Sequence, residues 1–127
     1  MKQELISCMD QEERNAVELL QNFGIKRNDA KVTIFFLSNE KATSPEIEKA
    51  MNMRQPEVSL SMRTLVNEGL IDPVKKPTST KGRPKILYTR TCPSSDFYKF
   101  FLSKAEERIR YLQQQQHKLQ LLMGKLS

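Results

Sequence analysis

The sequence predicts a mainly α fold that carries one small β-wing and ends in a long helix. Three observations predict it. Helix-start signals recur at Asp10, Thr43 and Gln55, each ahead of apolar residues at helical spacing. Residues 70–90 break that spacing, with two β-rich runs either side of a loop rich in lysine, threonine and proline. From Phe97 the chain then reads as one helix, with a heptad seam from Leu102 to Leu126.

The elements follow in order. Leu5, Met9, Ala16, Val17, Leu20 and Phe23 are helically spaced, with a gap near Glu12 and Glu13. Asp10 and Glu13 form a capping box, so a helix starts afresh there and stops at Gly24. Asn28 and Asp29 offer N-caps for a second helix over residues 30–37. Ile34-Phe35-Phe36-Leu37 fits a short strand by periodicity alone, but the capped start favours helix. Thr43-Ser44-Pro45-Glu46 is the sharpest start: a capping box with proline in the first turn, where its missing N–H costs nothing. That short helix buries Ile47 and Ala50 and ends near Asn52. Gln55-Pro56-Glu57 opens the next, in which Val58, Met62, Leu65 and Val66 share a face, and Gly69 closes it. Two short helices joined by a tight turn are the sequence form of a helix-turn-helix. Strand, basic loop and strand directly after them make the layout a winged helix-turn-helix.

Leu102, Ala105, Ile109, Leu112, Gln116, Leu119, Met123 and Leu126 are spaced alternately three and four apart, polar at Gln116 only. The helix they line is about 46 Å long at 1.5 Å per residue. So narrow and long a seam outruns what one small domain can cover. It is expected to pair with a second copy as a coiled coil, parallel or antiparallel; the alternative is packing back on residues 5–23. This divides the chain into a winged domain, 1–94, and a dimerisation helix, 95–127. Phe97, Phe100 and Phe101 are expected to dock the helix root. Removing the helix from Phe97 onward is expected to give monomers.

Charge points to a partner. The 127 residues hold 21 Lys and Arg against 15 Asp and Glu, net +6. Residues 1–53 are net −2, 54–90 net +5 and 91–127 net +3. From Lys75 to Arg90 there are six cations and no acid. A local cationic patch of this kind suits a polyanion, above all nucleic acid. In a helix-turn-helix the start of the second helix enters the major groove. The candidate readers are Arg54, Gln55, Pro56, Glu57, Ser59, Leu60 and Arg63, with Ser61 outward or at the edge. Arg63 can bond guanine or phosphate bidentately, Gln55 can read adenine, and Glu57 can accept from cytosine. On the wing, Lys75, Lys76, Lys81 and Lys85 suit phosphate. Gly82-Arg83-Pro84 resembles an AT-hook, in which glycine permits close approach and arginine enters the narrow minor groove.

Other chemistries find little support. No run of eighteen apolar residues suggests a membrane span, and no basic-then-apolar leader opens the chain, so a cytoplasmic protein is expected. Cys8, Cys92 and His117 are too few for a disulfide framework or a metal site, and no acid–base constellation accompanies them. No enzyme activity, cofactor or metal is expected.

Residues 29–90 resemble winged helix-turn-helix transcriptional regulators of the MarR-like and TrmB-like type, especially archaeal ones. Three stretches carry the resemblance: Asp29-Ala30-Lys31-Val32, Arg54 to Ser59 continuing through Leu65 to Ile71, and Gly82-Arg83-Pro84 with Tyr88. The resemblance implies that residues 55–63 read the major groove, that Arg83 reads the minor groove, and that homodimers act on palindromic operators. Repression by promoter occlusion is the simplest action. A weakly specific architectural DNA-binding protein and a protein-interaction module are the other readings.

Overall fold

The computed structural model describes residues 9–76 and 85–127. Leu5, Cys8, Lys81, Gly82 and Arg83 lie outside them. The described elements are α1 Gln11–Asn22, α2 Arg27–Ser38, β1 Lys41–Thr43, α3 Ser44–Met51, α4 Gln55–Asn67, β2 Ile71–Lys76, β3 Lys85–Arg90 and α5 Ser94–Leu126. The fold is the expected mainly helical winged helix with a long final helix.

Local chemistry accounts for the helix ends. At α1, the Glu13 amide donates to Asp10 Oδ1 at 2.8 Å and the Asp10 amide donates to Glu13 Oε1 at 2.9 Å. Gly24 follows with φ +96°, a left-handed conformation that glycine adopts without steric cost. At α3, Glu46 Oε1 accepts from the Thr43 amide at 2.8 Å and from the Thr43 hydroxyl at 3.2 Å. The second helix departs from expectation. It starts at Arg27 behind Lys26, so Asn28 and Asp29 lie inside its first turn rather than capping it. There Asp29 still favours the helix through the positive end of the dipole.

The core explains why Ile34 to Leu37 read ambiguously. Helix α2 runs through the middle of the domain, and Ala30, Val32, Thr33, Ile34, Phe35 and Phe36 are all buried. A helix apolar nearly all round shows no period. The Thr33 hydroxyl is satisfied locally, donating to the Asp29 carbonyl at 2.7 Å. Around α2 pack Ile47 of α3, Val58, Met62 and Leu65 of α4, Ile71 of β2 and Phe97 of α5, all buried.

The wing is a three-stranded antiparallel sheet ordered β1-β3-β2. Strand β1 was not expected. Its three residues pair with β3 more than forty positions on, Ala42 opposite Tyr88, so no local pattern announces it. Pro73 sits in β2, which pairs on one side only, where a missing N–H is tolerated. Arg90 also leaves the expected role. Its Nη1 donates to the Phe36 carbonyl near the end of α2, its Nε to the Cys92 carbonyl at 2.7 Å, and its amide to the Glu40 carbonyl at 2.7 Å. Arg90 therefore ties the end of α2, the sheet and the turn before α5 together instead of adding to an outward cationic patch.

The root of α5 belongs to the domain. Phe97 is completely buried, and the Phe97–Phe101 and Phe100–Phe101 rings lie 5.4 and 5.2 Å apart between centroids. Beyond Ala105 every residue of α5 is exposed, His117 among them. At 33 residues the helix is about 50 Å long.

Candidate nucleic-acid interface

The turn between α3 and α4 is short because Asn52 takes the left-handed conformation, φ +53°, which asparagine tolerates better than most residues. Buried Met53 pins it, and its amide donates to the Glu48 carbonyl at 2.9 Å. Arg54 then opens α4. The inward stripe of α4 is Val58, Ser61, Met62 and Leu65. Ser61 is therefore buried rather than outward, because it stands three residues after Val58 on the same face.

The outward stripe is Pro56, Leu60, Arg63 and Asn67, spaced four, three, four. Gln55 and Arg54 are exposed at its start, while Ser59 and Glu57 are half-buried at its edges. Leu60 is 63% exposed and stands three residues before Arg63 on the same face. Such a pair can give apolar contact to a thymine methyl and bidentate hydrogen bonds to guanine. Asn67 was missed by sequence reasoning. The signal was present, since it continues the same spacing one turn beyond Arg63.

Glu57 has a local task at the start of α4. Its Oε1 accepts from the Arg54 amide at 2.8 Å, and its Oε2 lies 3.7 Å from the Arg54 guanidinium. The carboxylate thus caps α4, with the Glu57 side chain 34% exposed at the helix start. The Arg54 amide bond chiefly, aided by the charges of Arg54 and Lys31, holds its pKa below the ordinary glutamate value of 4.5. A depressed carboxylate contributes stability above its unfolded pKa and loses it as pH falls through the folded one. Amide exchange at the start of α4 should therefore accelerate, relative to the rest of the domain, as pH drops below 4.5. Glu57→Gln should abolish that local acid response. An unchanged acid profile in the variant would assign the response to another group.

The fold adds cations that the sequence did not single out. Lys31 on α2 is half-buried and close enough to Arg27 and Glu57 to feel both charges. Burial chiefly, then Arg27, lowers its pKa, and Glu57 opposes them. These residues stand some 25 positions ahead of α4 in sequence and meet it only because α2 packs against α4.

On the wing, Lys75 pairs in register with Ile86, and Lys76 with Lys85. The register thus brings Lys75, Lys76 and Lys85 to one end of the β2–β3 pair. Lys75 and Lys85 are exposed. Lys81, Gly82 and Arg83 fall in the loop outside the described residues. Tyr88 lies deeper, packed against the core between Ala42 and Pro73, and burial raises its pKa. The seam residues Leu102 and Ala105 line a groove with α1 and α2, Leu102 itself exposed, and Ile109, Leu112, Gln116, Leu119, Met123 and Leu126 are exposed along the free part of α5. Among the described residues no group of three or more histidine, cysteine or acidic side chains could hold a metal, and no helix is long and apolar enough to cross a membrane.

This architecture recurs in solved structures. A transcriptional regulator homologue from Pyrococcus horikoshii OT3 is similar over 80% of this chain and 98% of its own, at 24% identity and a TM-score of 0.53. A possible transcriptional regulator from Methanosarcina mazei Go1 is similar over 87% of this chain and 91% of its own, at 12% identity and a TM-score of 0.57. At these identities the likeness is one of fold. No curated protein matches the sequence significantly. The family model described as sugar-specific transcriptional regulator TrmB matches residues 20–93, which take in α2, the helix-turn-helix and the whole sheet. With more than half of the sequence inside that model, and with its helix-turn-helix and wing in place, the chain belongs to the TrmB family of winged helix-turn-helix transcriptional regulators, proteins whose work is control of transcription and not catalysis.

Proposed function

We propose that the chain is a sequence-specific, double-stranded-DNA-binding transcriptional regulator that works as a homodimer, most simply as a repressor that occludes a promoter. The observation that carries this reading is the uncovered face of α4. Pro56, Leu60, Arg63 and Asn67 line up on it, and the cations Arg54 and Lys31 lie at its start, both close enough to act on the Glu57 carboxylate. An α-helix fits the major groove, where a guanidinium and an aliphatic side chain distinguish base pairs. The cations and the positive end of the helix dipole favour the flanking phosphates. Lys75, Lys76, Lys81 and Lys85 hold phosphate beside the wing, and Arg83 enters the minor groove. The exposed seam of α5 joins two copies, which sets two α4 helices one helical turn of DNA apart, about 34 Å, or a multiple of it.

Selection of bound fragments from random duplex DNA tests the reading. A recurrent, two-fold-symmetric motif is the expected result. Retention of fragments without preference, with a specificity ratio near unity at fixed salt, would make the chain a weakly specific DNA coat instead. Absence of any salt-sensitive DNA binding would make it a protein-interaction module. The wing has its own test. Arg83→Ala should weaken binding most on operators with A·T-rich flanks, where the groove is narrow and electronegative. A loss independent of flank composition would reduce Arg83 to a phosphate contact.

A further inference from the structure

Helices α1, α2 and the root of α5 enclose an apolar groove of about 290 Å³ on the face of the domain from which α5 departs. Leu19 and Phe23 form one wall, Ile34 and Leu37 the floor, and Tyr98 and Leu102 the other wall. Leu19, Tyr98 and Leu102 are each about half exposed, so among the described residues the groove is open. Its far edge is Ala105, where the seam of α5 leaves the domain. Groove and seam are therefore one continuous apolar surface.

Exposed apolar residues run along α5 from Tyr98 and Leu102 at the root, through Ile109 and Leu112, to the tip. The root carries the groove. The tip carries Leu119, Leu122, Met123 and Leu126, spaced three, one and three, which is a wider stripe than a two-helix seam requires. Between them lies the polar stretch Gln113 to Gln116. A second helix alone would not need Leu122. A groove with two walls would.

Resting on the homodimer reading above, we infer that the groove is occupied by the α5 tip of a second copy, with the two α5 helices running antiparallel about an axis near Gln114. In that register Leu102 meets the partner's Leu126, Ala105 the partner's Met123, Ile109 the partner's Leu119, and Leu112 the partner's Gln116. Every seam position then has a counterpart. The small Ala105 leaves the room at the groove edge that a methionine fills. The polar stretch crosses its own copy at the axis. Parallel pairing would set Ala105 against itself, leave both grooves open and leave Leu122 uncovered.

The area agrees. Leu102, Ile109, Leu112, Leu119, Leu122 and Met123 are each 43–59% exposed and Leu126 is 84% exposed. Together with the groove walls they offer on the order of 800 Å² per copy, the amount that a stable interface of ordinary size buries per partner. A twofold contact of this kind uses the same patch on both copies and closes on itself.

The test uses the full chain with Cys8→Ser and Cys92→Ser. Leu102→Cys and Leu126→Cys are prepared separately and treated with a short bis-maleimide. A mixture of the two should give covalent dimers, and each variant alone should not. A spin label at exposed Lys125→Cys, which leaves the seam intact, should report a separation of about 33 Å, since eleven residues lie between it and the axis on each copy. Cross-linking of either variant with itself, or a label separation of about 15 Å or less, would overturn the antiparallel order while leaving the dimer standing. Sedimentation of the unmodified chain as a monomer would overturn both.

Discussion

Arg63→Ala is expected to lower affinity for the preferred operator by about 1–3 kcal/mol while leaving binding to random duplex much less affected. Arg63 stands in the middle of the outward face of α4, three residues from Leu60, and is exposed. Among the described residues no carboxylate pairs with it, so its guanidinium needs no rearrangement to meet DNA. A side chain so placed reaches base edges if the helix lies along the groove, and reaches phosphate if the helix stands across it. The two geometries separate cleanly. Loss of a base contact reduces the ratio of specific to random binding and relaxes the motif at one position. Loss of a phosphate contact weakens all sequences alike and lowers the salt slope by about one. Competition titrations at two salt concentrations read both quantities. Equal losses on operator and random DNA would remove Arg63 from base reading. The melting temperature is a control, because an exposed side chain without partners changes stability by no more than about 0.5 kcal/mol.

The parts of the molecule that were legible in the sequence are those fixed by neighbours in the chain. The Asp10–Glu13 and Thr43–Glu46 caps, the short turn before α4 and the wing hairpin all depend on contacts a few residues apart. So does the burial of Val58, Met62 and Leu65, which follows from helical spacing alone. The same spacing argument would have placed Ser61 inside and Asn67 outside, had it been applied to a small polar residue and to the last turn. What was not legible depends on contacts far apart in sequence. Strand β1 exists because β3 offers a free edge. Arg90 reads as one more wing cation, yet the Phe36 carbonyl 54 residues away takes it inward. Lys31 gains its place beside Glu57 only through the packing of α2 on α4. The cationic patch is thus redistributed: it loses Arg90 at the base of the wing and gains Lys31 beside α4.

If the chain pairs through α5 as proposed, ending it after Ala105 should give a folded monomer. The position of the cut follows from Phe97. A cut before that residue, at the boundary read from sequence, would empty a fully buried site in the core. Loss of a buried phenylalanine costs about 3–5 kcal/mol. Against a total stability of about 5–15 kcal/mol, that would unfold a good part of the protein and leave its assembly unreadable. A chain ending at Ala105 keeps Phe97, Phe100 and Phe101 on the core and removes only residues that are exposed in the single chain. Its circular dichroism should show the loss of about six turns of helix with cooperative unfolding retained. Sedimentation should give the mass of one copy. On an operator with two half-sites the affinity should fall by about 10²–10⁴, because the second α4 no longer arrives at high effective concentration. On a single half-site it should hardly change. The contrast between the two duplexes matters most, since damage to the reading head would weaken both equally. A dimer that persists after the cut would move the interface to the apolar wall of α1, where Leu19 and Phe23 remain exposed.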